Sequence, residues 1–230
     1  MRFRDRVDAG QQLAARLRHL STTDLIAVGM PRGGVPVAAQ VARALGIPLD
    51  VVLVRKLGVP THRELAMGAI GEGDVRFIEE STVAALNVTP DEVAKVERME
   101  RVELQRRAEM YRQGAPRQSI EHKTVVVIDD GMATGATARV ACRVVRAQGA
   151  RRVVLAVPIA PPGWADSMKD EADEFVAVAV QNFRAVGDLY DDFRATEDRE
   201  VIDCLRLSAG LTSPPPLTRG RRRRSSRGRG

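Results

Sequence analysis

The chain has 230 residues, 36 of them basic and 30 acidic, for a formal net charge of +6, and at this length roughly 70 % of the unfolded surface can be buried, enough for one core. No run of about eighteen apolar residues would span a membrane, and a start crowded with Arg2, Arg4, Asp5 and Arg6 is unlike a signal peptide, so a cytoplasmic location is expected. Cys142 and Cys204 are too few and too isolated for a disulfide framework or a zinc site, and are read as core residues of helices.

Strands and helices alternate along the chain. Residues 7–20 read as a helix with Leu13, Leu17 and Leu20 on one face, 25–30 as a buried strand, 35–45 as a helix and 49–54 as a strand. Residues 75–78 read as a short strand inside an insertion. Thr89, Pro90, Asp91 and Glu92 spell a capping box with proline at the first helical position, opening a charged helix to about residue 112. Most of that helix is a solvated face, and its apolar stripe, Val93, Val96, Met99 and Val102, is expected to dock on the body or on a second subunit. Strands at 125–129 and 153–159 flank a helix at 137–148, and 175–180 is another strand. Repeated βα units imply an α/β fold with a parallel sheet and ligands beyond the C-terminal strand ends. No internal repeat is evident.

The richest stretch covers residues 124–140: Thr-Val-Val-Val-Ile-Asp-Asp-Gly-Met-Ala-Thr-Gly-Ala-Thr-Ala-Arg-Val. A β-branched strand ends in Asp129 and Asp130, and a loop of small residues leads into a helix. That order gathers backbone N–H groups and hydroxyls at a positive helix end, a pocket sized for one phosphate. The two carboxylates beside it suit the vicinal hydroxyls of a sugar phosphate. An acid-tipped strand also carries magnesium in P-loop nucleotide hydrolases, but their Gly-x-x-x-x-Gly-Lys-Ser/Thr loop does not occur here. A plain βα turn would explain the small residues and leave the acid pair unexplained.

A second strand, glycine turn and helix occurs at residues 25–38, where Arg32 offers a cationic fork and Gly33 and Gly34 permit close backbone approach. The third patch, Arg55-Lys56-Leu-Gly-Val-Pro-Thr-His62-Arg63-Glu64, places polar residues in an apolar region, and Gly58 and Pro60 mark it as a loop.

Residues 126–137 resemble the phosphoribosyl-pyrophosphate (PRPP) signature of the type I phosphoribosyltransferases, and the likeness runs from about residue 2 to residue 207. The resemblance implies a Rossmann-like parallel sheet flanked by helices, with a small hood and a helical insertion, in a phosphoribosyltransferase domain over residues 1–211. It implies transfer of the phosphoribosyl group of PRPP to an acceptor such as a nucleobase, with release of pyrophosphate. Asp129 and Asp130 are then expected to bind the ribose 2′- and 3′-hydroxyls, and Ala133, Thr134, Gly135, Ala136 and Thr137 to wrap the 5′-phosphate. Arg32, Gly33 and Gly34 form the expected pyrophosphate loop, with a cis Pro31–Arg32 peptide. Arg55 and Lys56, with His62 and Arg63, are the basic residues of a loop that closes over PRPP. Mg²⁺ is expected to arrive mainly with PRPP, near Asp129 and Asp130, and the expected assembly is a homodimer.

One departure bears on the acceptor. Four residues after the first acid, where the hypoxanthine–guanine and xanthine–guanine branches carry an aspartate, this chain has Ala133. The adenine branch also has alanine there and uses a loop glutamate, which makes Glu64 the candidate analogue. A 6-oxopurine is disfavoured and the acceptor stays open. Residues 161–164 and 183–190 are the candidate hood, in which Trp164, Phe183 and Tyr190 either stack on a ring or pack as core. A non-catalytic PRPP- or nucleotide-binding regulator of the same fold remains the alternative.

The basic balance belongs to the end of the chain. Arginines 219, 221, 222, 223, 224, 227 and 229 account for seven positive charges, and without them 29 basic residues face 30 acidic ones, or −1. Residues 212–230 read as a proline linker and a disordered arginine-rich tail, either a neutral extension or a binder of nucleic acid or another polyanion. Truncation after Leu211 should abolish any nucleic-acid affinity, which in the full chain should fall steeply with salt, and should leave PRPP-dependent pyrophosphate release intact. A truncated body that still binds RNA or DNA at physiological salt would contradict this.

Overall fold

The computed structural model describes residues 1–20 and 24–210. The tail at 212–230 and its expected polyanion contacts lie outside the described residues. The elements are α1 (Arg6–Arg16), β1 (Leu25–Gly29), α2 (Gly34–Leu45), β2 (Leu49–Val51), β3 (Val54–Val59), β4 (His62–Gly71), β5 (Arg76–Ile78), α3 (Glu80–Ala85), α4 (Pro90–Arg112), β6 (Thr124–Ile128), α5 (Ala136–Ala147), β7 (Arg152–Ala160), α6 (Trp164–Ser167), β8 (Glu174–Val180) and α7 (Asp198–Ser208).

Five strands form a parallel sheet in the order β2-β1-β6-β7-β8, as the βα alternation predicted. Its central strands are apolar throughout because both faces are covered. Val125 and Val127 point into one core, shared with Ala141, Val144 and Val145 of α5. Val126 and Ile128 point into the other, shared with Leu13 of α1 and Val37 and Val41 of α2. Cys142 is buried in the first core, and Cys204 of α7 packs half-buried against the second. Among the described residues, no helix is long and apolar enough to cross a membrane.

Two expectations about element bounds need correction. Helix 7–20 ends at Arg16, and Arg18–Leu20 is a 3₁₀ turn that still buries Leu20. The strand expected over 49–54 is two strands in two sheets: β2 closes the parallel sheet at Val51, and β3 begins at Val54. The third patch is therefore no open loop. β3 and β4 form an antiparallel hairpin, with register shifts around Gly58, and β5 completes a second sheet. Leu57, Val59, Met67 and Ile70 are buried, so apolar burial holds as strands the polar stretch that Gly58 and Pro60 punctuate.

The capping box is present, with Thr89 Oγ1 accepting from Glu92 N–H at 3.3 Å and Glu92 Oε2 from Thr89 N–H at 2.9 Å. The apolar stripe of α4 divides. Val93 and Val96 pack with Leu104 and Tyr111 against the hairpin core, whereas Met99 and Val102 are exposed. The far end of α4 is tied down by charge. Arg112 donates to Asp50 Oδ1 at 2.9 Å, to both carboxylate oxygens of Glu72 at 2.5 and 3.0 Å, and to the Val51 carbonyl at 3.2 Å.

Arg112 and Asp50 are nearly inaccessible, so removing the guanidinium strands two carboxylates in the interior. Arg112→Leu should cost about 3–5 kcal/mol in urea unfolding. A loss under about 1 kcal/mol, the worth of a surface pair, would contradict this.

Candidate active site

Gly29 of β1 lies opposite Ile128 of β6, so the turns leaving these strands emerge side by side at the C-terminal edge of the sheet. Met30 N–H donates to the Ile128 carbonyl at 2.8 Å, and the next peptide, Pro31–Arg32, is cis, as the resemblance led us to expect. Gly33 has an ordinary φ of −61°, so space rather than conformation demands a glycine. A Cβ there would fall inside the Asp130 carboxylate, and one on Gly34 would come within 2.8 Å of the Asp129 Cα. The sequence suggested close approach of these glycines to a ligand; the close approach seen in the structure is to the acids themselves.

The two acids differ in their surroundings. Asp129 Oδ1 accepts from the Asp130 N–H at 2.9 Å. Asp130 Oδ2 accepts from Arg6 Nε at 2.8 Å, in a pair whose side chains are only 12 % and 15 % exposed. The Arg6 guanidinium lies 4.1 Å from the Phe193 ring centroid and also donates to the Arg194 carbonyl at 2.8 Å. The Tyr190 hydroxyl donates to the Asp130 carbonyl at 2.6 Å. Burial raises the pKa of Asp129 above the ordinary carboxylate range, and the neighbouring charge of Asp130 adds to it. Burial raises Asp130 as well, against the opposing pull of Arg6. Sequence reasoning missed Arg6, which stands 124 residues from its partner in the chain, with no local signal for the contact.

The loop after the acids is anchored inside and open outside. Met132 is buried and its N–H donates to the Ile159 carbonyl at 2.9 Å, whereas Ala133, Thr134, Ala136 and Thr137 are exposed. Gly135, the residue before α5, has φ 73°, a left-handed value that favours glycine. The first i→i−4 bond of α5 joins Arg139 N–H to the Gly135 carbonyl at 2.8 Å. The amides of Ala136, Thr137 and Ala138 precede it, at the positive helix end where anions bind. Thr134 Oγ1 accepts only a long 3.5 Å contact from Ala136 N–H.

The hairpin brings some of the remaining expected residues to this edge and not others. Arg55, Pro31 and Thr137 line one cleft. Arg55 is held by Glu100 of α4, Nε to Oε2 at 2.7 Å. Side chains alternate along a strand, so Lys56 projects from the opposite face to Arg55; it is exposed. Glu64 is exposed towards the hairpin's far end, and the His62 ring lies 3.0 Å from the Thr61 hydroxyl there. Arg32 is half exposed, with its nearest carboxylate, Asp198, at 4.0 Å.

The candidate hood turns mostly inward. Trp164 is buried edge-on to Phe175, with centroids 5.6 Å apart, and Tyr190 is buried between Phe3 and Phe193. Of the two readings open for them, core packing is the one seen. Phe183 packs half-buried beside this second group.

A family model described as phosphoribosyl transferase domain matches residues 4–194. Two Mycobacterium tuberculosis proteins, "Putative phosphoribosyl transferase Rv0571c" of strain H37Rv and its MT0597 counterpart of strain CDC 1551, are each 50 % identical over 201 residues, 87 % of this chain and 45 % of theirs. The chain thus spans about half the length of the curated relatives it matches. Among solved structures, TT1426 from Thermus thermophilus is 43 % identical, with a TM-score of 0.79 covering 89 % of this chain and 98 % of that one. The chain belongs to the phosphoribosyl transferase domain family.

The raised acids fix a pH dependence. A folded-state carboxyl with a raised pKa keeps a proton that the unfolded chain has already released, so stability falls as pH rises from the ordinary carboxylate value to the raised one. Arg6 opposes that rise at both acids. At about pH 4, Arg6→Gln should therefore cost only the pH-independent contacts with Phe193 and the Arg194 carbonyl, with a stability deficit that widens towards about pH 7 in denaturant titrations. A deficit constant with pH would mean that Arg6 acts by packing alone.

Proposed function

We propose that the chain is a phosphoribosyltransferase that binds PRPP with Mg²⁺ and transfers the phosphoribosyl group to a small-molecule acceptor, releasing pyrophosphate. The observation that carries the reading is the juxtaposition of the Asp129 and Asp130 carboxylates with the open amides at the start of α5, under the glycine turn from β1. In this reading the amides and Thr134 and Thr137 hydroxyls hold the 5′-phosphate, and the acids accept from the ribose hydroxyls. The Arg32–Gly34 turn and Arg55 face the pyrophosphate.

Displacement at ribose C1 passes through an oxocarbenium-like state, which needs a restrained leaving group and excluded water more than a protein nucleophile. Arg32 and Arg55 stabilise the charge that gathers on the departing pyrophosphate, and the hairpin carrying Arg55 and Lys56 is the element to shield it from water. No group of three or more His, Cys, Asp and Glu among the described residues is arranged to hold a metal, yet Asp129 and Asp130 supply hard oxygens that fit Mg²⁺ as partial ligands. Mg²⁺ would be held chiefly by the pyrophosphate oxygens beside these acids, and when bound it neutralises leaving-group charge.

A second reading, a regulator that binds PRPP or a nucleotide without turnover, draws on Ala133 and on the exposed position of Glu64, which leave no side chain assigned as base. One assay separates the two. The protein with PRPP, Mg²⁺ and a panel of nucleobases should release pyrophosphate, and changing Asp129 and Asp130 together to Ala should weaken PRPP binding by roughly 1.5–3 kcal/mol for each lost charged hydrogen bond. Binding without release on any acceptor would favour the regulator. Unchanged PRPP affinity in the double variant would sink both.

A further inference from the structure

Helix α4 belongs to the insertion between the hairpin and β6, and it turns one row of side chains towards the candidate site. Glu100, Leu104, Arg107 and Tyr111 recur at intervals of four, three and four residues, one stripe of a helix. Every member meets an element of the site. Glu100 accepts from Arg55 at 2.7 Å, and the Tyr111 hydroxyl donates at 2.7 Å to Asp198 Oδ1, the oxygen facing Arg32. Leu104 and Arg107 line the same cleft as Pro31, Arg55 and Thr137.

Two arginines from two elements thus line one cleft, Arg55 from β3 and Arg107 from α4, beside Pro31 of the turn that carries Arg32. Arg55 and Arg107 each have an acid of α4 as partner, Glu100 and Glu103, and Arg107 Nε lies 2.7 Å from Glu103 Oε1. Glu103 also bonds Arg106, through both carboxylate oxygens at 2.7 and 2.9 Å, so one carboxylate serves two cations. That leaves Arg107 with donors to spare on the cleft side, since a guanidinium carries five.

We propose that Arg107 is a binding residue for the pyrophosphate group, so that α4 completes the anion site that the turn and hairpin begin. The inference rests on the function proposed above and adds to it a residue outside the three matched motifs. A fork-shaped cation from α4 would bind the diphosphate oxygens and share their charge with Arg55, which lines the same cleft.

The test is calorimetric titration of the full chain with Mg²⁺ and inorganic pyrophosphate, comparing Arg107→Gln with Arg106→Gln. Both variants lose one charge from the same turn of α4 and one partner of Glu103, but Arg106 does not line the cleft. Arg107→Gln should weaken pyrophosphate binding at least about tenfold, the scale of one lost charge-assisted hydrogen bond, and Arg106→Gln by less than about twofold. Arg107→Lys, which keeps the charge and loses the fork, should fall between wild type and Arg107→Gln. Unchanged thermal unfolding of Arg107→Gln should accompany the loss, because its pair with Glu103 is a partly exposed one on the helix surface. Equal losses at 106 and 107, or none at 107, would overturn the role of Arg107 while the proposed function stood. Failure of the wild type to bind pyrophosphate would overturn that function and this inference with it.

Discussion

Gly33 and Gly34 lie so close to Asp130 and Asp129 that neither position has room for a Cβ, and the rest of the site is arranged around that contact. It requires β1 and β6 to be neighbours in parallel register, which the sheet order provides. Parallel strands send their following turns out of the same edge, so the glycine turn, the acids and the start of α5 share one side of the sheet. Close-packed apolar cores on both faces hold the strands in place, one formed with α5 and the other with α1 and α2. A side chain at either glycine would part the two turns and pull the acids from the helix end.

Bringing carboxylates together in a half-buried place has an electrostatic cost, and arginines from distant parts of the chain offset it. Arg6 meets Asp130 from the first helix, and Arg112 joins Asp50 to Glu72 at the base of α4. Glu171 accepts from Arg139 and Arg143 of α5. Arg6 also joins the N-terminal helix to Phe193 and the Arg194 carbonyl, and the Tyr190 hydroxyl bonds the Asp130 carbonyl beside it. Arg32 and Arg55 sit differently: both are partly exposed, and in the proposed function an anion replaces or supplements their acid partners. Pairing without full burial leaves a cation available to a ligand, whereas Arg112 is spent on structure.

Local patterns carried most of the fold. Four of the five parallel strands are long apolar runs, and β2, with Asp50 at its centre, is the exception; the capping box at Thr89 marked the start of its helix. Asp129, Asp130 and the 133–137 loop were legible because strand, acids and small-residue turn are contiguous. What failed to show depended on contacts between distant residues. The break between β2 and β3 falls inside a single apolar run, Val51 to Val54, and only the change of sheet separates them. The hairpin was hidden by Gly58 and Pro60, turn residues that here sit at a register shift and a strand end. Helix α7 has no Ser, Asn or Asp cap; Glu200 Oε2 accepts from Glu197 N–H at 2.9 Å in its place. Arg6 and Arg107 are charged residues on charged helices, indistinguishable in sequence from a solvated face.

In the proposed function the start of α5 and the adjoining acids form one site for a phosphorylated sugar. The most direct measurement is a titration with ribose 5-phosphate followed in ¹⁵N–¹H NMR spectra of the protein. The amides of residues 133–138, together with those of Asp129 and Asp130, should show the largest and saturable shifts. Saturable shifts centred on another part of the molecule, with those amides unmoved, would place the sugar-phosphate site elsewhere.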